Sequence, residues 1–373
     1  MPTRVTFVRP YPYGGGGSIA LVRSLSRFSR LRGTVLTETP AVAFGSALGA
    51  VAPIETRVPT TSRPLLPLGM GRRLLAPDPL ATSDVLDVAE VASPFSAQLV
   101  RAAKARRVPI SITSLETVPH RLIDRLPPML GRIRRIRSSP ARFRVFTGRA
   151  EEYLRSVGVE PERIRRLPLG VDLDLFHPLE DGGRGPCRLL YARRLEAKNG
   201  LPELLRAVRR LPGFPRDVTL AVAGDGPLAP LARAAADHHG VEYLGRLSYD
   251  RLAEEYRRAW AFCNPARDTR FAGQLVQEDG QFTFPLLEAQ ASGVPIVTTE
   301  SGANRELLAD GNALVPQRDP DRLREALETV LDPSFRSLQG RRNRAFVEVN
   351  FDGAKCQRAA DDYYEQLAVA GDR

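Results

Sequence analysis

Short apolar runs rich in Val, Ile and Phe recur along the chain and alternate with longer stretches whose apolar positions return every three or four residues. The short runs predict strands and the longer stretches amphipathic helices. Residues 4–9 (RVTFVR) predict a first strand, 14–17 are four glycines, and Ser18 caps a helix to about residue 30 with Leu21, Val22, Leu25 and Phe28 on one face. Residues 40–83 are rich in Pro and Ala and predict a loop-heavy segment. Order returns with an apolar run at 85–91, a helix near 96–107, a strand at 108–113 and another at 143–147. The second half repeats the alternation: strands at 188–192, 218–223, 241–244 and within 262–266 (FCNPA), and helices opening at Pro202 and Leu228. Phe284, Leu287 and Ala291 recur at helical spacing, Ser292-Gly293 stops that helix, and Ile296, Val297 and Thr298 form a β-branched run of the kind a parallel sheet buries. Residues 346–367 predict one or two amphipathic helices. Strand–helix alternation of this kind predicts an α/β chain with parallel sheets covered on both faces.

Length divides this pattern in two. A chain of 373 residues accommodates two domains with separate cores. The Pro- and Gly-containing segment RIRRLPLGVDLDLFHP (163–178) coincides with a shift in charge and predicts the boundary. Of the net charge of +11, residues 1–150 carry 23 basic against 8 acidic side chains, +15, and residues 151–373 carry 31 against 35, −4. Such asymmetry suggests that the first half faces an anionic partner. Codon bias accounts for Arg over Lys, but not for the scarcity of acids in the first half. Between 121 and 149 stand nine Arg and one Asp, with Leu122, Leu126, Met129, Ile133 and Ile136 at helical spacing. That stripe fits a helix lying on anionic lipid, and equally a helix packed on its own domain with a solvated basic face. Pro127-Pro128 argues against one long helix here.

Cys187, Cys263 and Cys356 stand in no metal or redox spacing, which fits a reducing compartment. The first ten residues lack the apolar core of a signal peptide, and the longest uncharged run, 39–54, is too short and too broken to span a bilayer. The expectation is a cytoplasmic protein, peripheral at the inner membrane face if its acceptor is a lipid, with no nucleic-acid partner.

Several strand-end segments carry candidate chemistry. Strand, glycine run (Gly15, Gly16, Gly17) and helix form the layout that lets backbone approach a phosphate. YARRLEAKNG (191–200) offers Arg193, Arg194, Lys198 and Asn199 at a strand end, where a guanidinium and an ammonium suit a diphosphate. AGDGPL (223–228) is a Gly turn, with Gly224 and Gly226, ahead of a helix. The loop Gln281, Phe282, Thr283 leads into the helix carrying Glu288, a carboxylate placed to accept hydrogen bonds from ribose hydroxyls. An exposed helix position is the commoner role of a lone Glu. Glu116 and His120 follow the strand at 108–113, where Glu116 reads equally as a helix-capping acid.

The order and spacing of these segments are what carry a resemblance. LLEAQASGVPIVTT, with Glu306 after a Gly turn, resembles the donor-binding segment of family 4 of the retaining glycosyltransferases, also called glycosyl transferases group 1. The resemblance is close from about 163 to 332 and looser before. It implies a GT-B fold: two Rossmann-like parallel-sheet domains facing a central cleft, over 1–168 for the acceptor and 169–345 for the nucleotide sugar, with helix 346–373 returning to the first. It implies Arg194 and Lys198, or Arg193 as substitute, against the donor diphosphate, Glu288 on the ribose, and the glycine run near the phosphates. The family's first Glu falls on Gly280, so Asp279 is the acidic stand-in. Many members end the 108–113 strand with a His, whereas "ETVP" here resembles a subset and points Glu116 toward the sugar, with His120 and Tyr13 toward the acceptor.

The activity implied is transfer of a sugar, with retained configuration, from a nucleoside diphosphate to a hydroxyl or amine of a lipid-linked, phosphorylated or natural-product acceptor. No cofactor or metal is expected, since no Asp-x-Asp pair stands at a strand end; Asp172 and Asp174 lie in the linker. Two alternatives stay open. One is a nucleotide-sugar epimerase or hydrolase using Glu116, His120 and Asp279 as acid and base. The other is a sugar-nucleotide-binding protein without transfer activity.

Overall fold

Two parallel sheets organise the chain, one in each of two units. Unit 1 comprises Met1–Leu169 with Gly353–Arg373, and unit 2 comprises Gly170–Asp352. The computed structural model describes residues 1–9, 30–37, 54–57, 60–61, 74–76, 80–91, 93–179, 187–237, 240–271 and 273–371. Tyr13, Gly15, Gly16, Gly17 and most of the helix expected after Ser18 lie outside the described residues.

In unit 1, seven parallel strands pair in the order β3-β2-β1-β6-β7-β8-β9. They are β1 (Arg4–Arg9), β2 (Arg32–Thr37), β3 (Ile54–Arg57), β6 (Val85–Ala89), β7 (Ile110–Ser114), β8 (Arg142–Val145) and β9 (Ile164–Arg166). The short strands β4 (Thr60–Thr61) and β5 (Leu74–Ala76) form an antiparallel pair. The central strands β6 and β7 are buried along their whole length, as expected of a sheet covered on both faces. Helix α1 (Pro94–Arg106) starts where Ser93 accepts from the Phe95 N–H and Pro94 fits the first turn. It lays Leu99, Val100 and Ala103 on the core with Ile112, Phe143 and Leu154. Leu99 and Val100 each contribute about 1.5–3 kcal/mol on burial, and the Ala103 methyl about 0.8 kcal/mol.

The Arg-rich stretch resolves into a 3₁₀ turn (Leu122–Arg125) and helix α2 (Pro127–Arg137), so the proline pair opens the helix. Ile133 and Ile136 pack into unit 1's own core, while Arg134, Arg135 and Arg137 face solvent. The inner half of the stripe is therefore spent on folding, and the outward face is basic. Helix α3 (Gly148–Ser156) follows, capped by Thr147.

Unit 2 carries six parallel strands in the order β12-β11-β10-β13-β16-β17. They are β10 (Cys187–Ala192), β11 (Val218–Ala223), β12 (Val241–Gly245), β13 (Ala261–Asn264), β16 (Ile296–Thr299) and β17 (Ala313–Val315). Strands β14 (Thr269–Phe271) and β15 (Gln274–Gln277) make a hairpin between β13 and the loop that opens the Glu288 helix. The helices are α4 (Leu201–Val208), α5 (Ala229–Ala236), α6 (Tyr249–Arg258), α7 (Phe284–Ala291), α8 (Pro320–Val330) and α9 (Pro333–Asn350).

Two helices end the chain, α9 and α10 (Gly353–Gly371), and the break falls at Phe351–Asp352. Residues 346–350 therefore stay with unit 2. There Arg344 donates to the Phe176 and Ala291 carbonyls at 2.8 and 2.9 Å, and Val347 is fully buried. Helix α10 packs on unit 1, where Ala360, Tyr363 and Tyr364 meet Val5, Phe7, Val35 and Val85. Beneath it lies a buried polar network. Tyr364 donates its hydroxyl to Asp87 (2.9 Å), Thr113 donates to the same carboxylate (2.8 Å), and Arg144, 2% exposed, donates to the Tyr364 oxygen (3.2 Å). The Arg144 guanidinium also stacks 5.1 Å from the Phe146 ring centroid, which offsets part of the cost of burying its charge.

Candidate active site

In unit 2 the chain passes from β10 outward to β11 and β12, then returns to β13 on the other side of β10. Strand order therefore reverses between β10 and β13, and ligands of open parallel sheets bind beyond the carboxyl ends of strands at such a point. Arg193 is the first residue past β10, and Asn264 is the last of β13. The two meet there: Arg193 Nη1 donates to Asn264 Oδ1 at 2.5 Å. Its Nη2 donates to Asn199 Oδ1 (3.1 Å) and to Asp279 Oδ2 (2.7 Å). Lys198 Nζ lies 3.6 Å from Asp279 Oδ1. Two cations thus flank one carboxylate that is only 4% exposed. The site keeps one net positive charge, which suits a phosphate group.

Arg194 points elsewhere. Its side chain is 54% exposed and pairs with Glu196 at 3.1 Å. Of the two consecutive arginines, the inward one is Arg193, because residues next to each other past a strand end leave in opposite directions. Asn199 is buried and ties the turn by donating to the Arg194 carbonyl at 2.6 Å. Gly224 (φ +134°) sits where a Cβ would run into the Arg193 carbonyl, so the glycine lets the β11 turn close on the β10 turn. Gly226 occupies the same turn, its N–H bonded to Asp225 Oδ1.

The loop into α7 explains the missing first glutamate. A Cβ on Gly280 would overlap the Ser301 carbonyl oxygen, so no side chain fits at that position. The carboxylate beside that position is Asp279, one residue earlier, paired with Arg193 and Lys198. Asp268 fixes this loop: its Oδ1 accepts from the Asp279 N–H (3.1 Å) and from the Ser301 hydroxyl, and its Oδ2 accepts from Gln317 (2.8 Å). Gln281 and Phe282 are half-buried, and Thr283 donates to Asn304 at 2.9 Å at the start of α7.

Glu288 lies in the second turn of α7 and is 3% exposed. Its two carboxylate oxygens accept from Tyr249 (2.9 Å) and Tyr256 (3.2 Å). Burial pushes its carboxyl up to about 7, against the two hydroxyl hydrogen bonds that lower it. Each oxygen retains a second lone pair for a further donor.

Glu116 and His120 belong to unit 1. The Glu116 carboxylate is fully engaged, accepting from the Thr117 and Val118 N–H groups (3.0 and 3.1 Å) and from Arg121, which also holds Asp124. These bonds hold the carboxylate against its own loop, in a stretch where no helix begins. His120 is exposed, with left-handed backbone (φ 55°). Asn264, Asp268, Ser301 and Gln317 escape sequence reasoning; the one local signal is a polar Asn closing the apolar run AFC.

Residues 186–333 match the family described as Glycosyl transferases group 1. The GDP-mannose-dependent monoacylated alpha-(1-6)-phosphatidylinositol monomannoside mannosyltransferase of Corynebacterium glutamicum is 32% identical over 200 residues, 50% of this chain and 51% of that protein. The D-inositol 3-phosphate glycosyltransferase of Acidothermus cellulolyticus is 29% identical over 205 residues, 48% and 43% of the respective chains. The matched part thus spans about half the length of these curated relatives. Among solved structures, HepE of Anabaena in complex with UDP superposes with a TM-score of 0.74 at 14% identity, covering 98% of this chain and 100% of that one. A glycosyltransferase from Rickettsia africae gives 0.72 at 13%, covering 98% of each. The whole chain therefore has the GT-B fold, and its residues 186–333 are similar to the glycosyl transferases group 1 family.

Proposed function

We propose that this protein transfers a sugar from a nucleoside diphosphate to a hydroxyl acceptor with retention of anomeric configuration. The observation that carries the reading is the cation pair Arg193 and Lys198 at the strand reversal of unit 2, locked around Asp279 and backed by Asn199 and Asn264. Charge grows on the diphosphate as the glycosidic bond breaks, and fixed cations there stabilise the transition state more than the ground state. Arg193 and Lys198 supply this charge themselves, so the reaction proposed needs no metal and no cofactor. Asp279 keeps the two cations apart and oriented, and stands beside the sugar. Glu288 accepts from the ribose hydroxyls through its remaining lone pairs.

The acceptor proposed bears phosphate. Arg134, Arg135 and Arg137 present a basic face of unit 1, and two of the relatives are named for phosphatidylinositol and inositol phosphate acceptors. Basic side chains concentrate such substrates near the protein. No described helix is long and apolar enough to cross a membrane, and the location proposed for work on a lipid acceptor is the bilayer surface.

The test is incubation with radiolabelled GDP-mannose and UDP-glucose, each with inositol phosphate, with phosphatidylinositol vesicles or with no acceptor. Label in a new acceptor product that keeps the donor's anomeric configuration supports the proposal. Free sugar alone would make the protein a hydrolase, and an epimerised donor would make it an epimerase.

A further inference from the structure

Unit 1 repeats the plan of unit 2. Its strand order reverses between β1 and β6, so its ligand-binding point lies beyond the carboxyl ends of those two strands. The first residue past β6 is Glu90, which no motif picks out. Its backbone is left-handed (φ 64°), a region that a long side chain occupies only when its surroundings impose it. Here they do. The Glu90 N–H donates to the Thr113 carbonyl (2.9 Å), and its carbonyl accepts from the Ser96 hydroxyl (2.6 Å) and the Ser93 N–H (3.3 Å). The carboxylate is pinned as well: Oε1 accepts from the Leu115 N–H (2.8 Å) and Oε2 from the Ser114 hydroxyl (2.9 Å).

We infer that Glu90 is the carboxylate on which unit 1 takes hold of two neighbouring hydroxyls of a polyol. Each oxygen has accepted one protein donor and keeps a second lone pair, and the residue as a whole is half-buried. Two parallel acceptors match a vicinal diol, the commonest feature of sugars and inositols. The neighbouring charge rules out an anion at this point. Arg121 spends its guanidinium on Glu116 and Asp124, and Glu116 adds a second carboxylate nearby. Burial, with Glu116 in support, pushes the Glu90 carboxyl up to about 7, and hydroxyl donors favour its charged form. This rests on the proposed transfer reaction and sharpens it: the ring hydroxyls of the acceptor dock on Glu90.

Saturation-transfer NMR with myo-inositol and with methyl α-mannoside, in the absence of nucleotide, tests the assignment. Glu90→Gln keeps the shape and loses the charge, and Glu90→Asp keeps the charge but withdraws it. Wild type should show transfer to at least one of the two polyols. Each variant that melts cooperatively should lose it by at least about tenfold, the scale of a lost charge-assisted hydrogen bond. A folded variant with wild-type transfer, or a wild type that binds neither polyol, overturns the inference. Failure of the transfer reaction itself would appear separately, as absent nucleotide binding with polyol binding intact.

Discussion

In unit 2 the strand that leads into the chain reversal, β10, is followed by Arg193, and in unit 1 the strand that leaves it, β6, is followed by Glu90. Both side chains are fixed by hydrogen bonds to the neighbouring strand end, Arg193 through Asn264 and Glu90 through Ser114 and Leu115. The two units thus place opposite charges beside the reversal of one sheet plan. The plan decides where a ligand goes. The residue at the strand end decides whether that ligand is an anion, as for a diphosphate, or a set of hydroxyl donors.

The comparison has a pH signature, since among the described residues each unit holds an acid near neutrality: Glu90 in unit 1 and Glu288 in unit 2, both at about 7. A carboxyl raised in the folded state stabilises fully below its unfolded value, near 4.5, and loses that contribution as pH rises through about 7. For the buried Glu288 the difference corresponds to about 3 kcal/mol. Chemical denaturation from pH 4.5 to 8 should therefore show falling stability, and Glu288→Gln, which still bonds Tyr249 and Tyr256, should flatten the fall. An unchanged slope in that variant would mean that Glu288 is ionised throughout.

A smaller effect separates the units further. Tyr364→Phe removes a hydroxyl shared by Asp87 and Arg144 beneath α10, and should cost about 1–2 kcal/mol of unfolding free energy. Because the network lies in unit 1, nucleotide affinity should stay at the wild-type value. A fall in affinity measured by calorimetry would show that the units do not work independently at this level.

Unit 2 was the more legible half for a physical reason. Its strands are continuous apolar runs, and its turns need glycine at fixed places, so Val218–Ala223 and the Phe284–Ala291 helix could be read from pattern alone. The choice between Arg193 and Arg194 could not, because alternation along an extended chain says that they diverge but not which turns inward. Gly280 shows the same limit: its near contact with Ser301 comes from a residue 21 positions away. Glu90 was invisible because its role rests on strand order, which pairs β6 with β1 across some eighty residues. The basic first half was legible as charge but not as use. Arg121 and Arg144 are consumed internally, and only part of the surplus faces solvent.

The unit 2 site turns on which arginine meets the diphosphate. Calorimetric titration of GDP and UDP into wild type, Arg193→Ala and Arg194→Ala decides it. Wild type should bind at least one nucleotide. Arg193→Ala should weaken that binding by about 2–3 kcal/mol, the range for a charged hydrogen-bond partner lost from a buried site. Arg194→Ala should change it by less than about 1 kcal/mol, as for an exposed ion pair. The reverse order, with Arg194 dominant and Arg193 dispensable, would contradict the site described for unit 2.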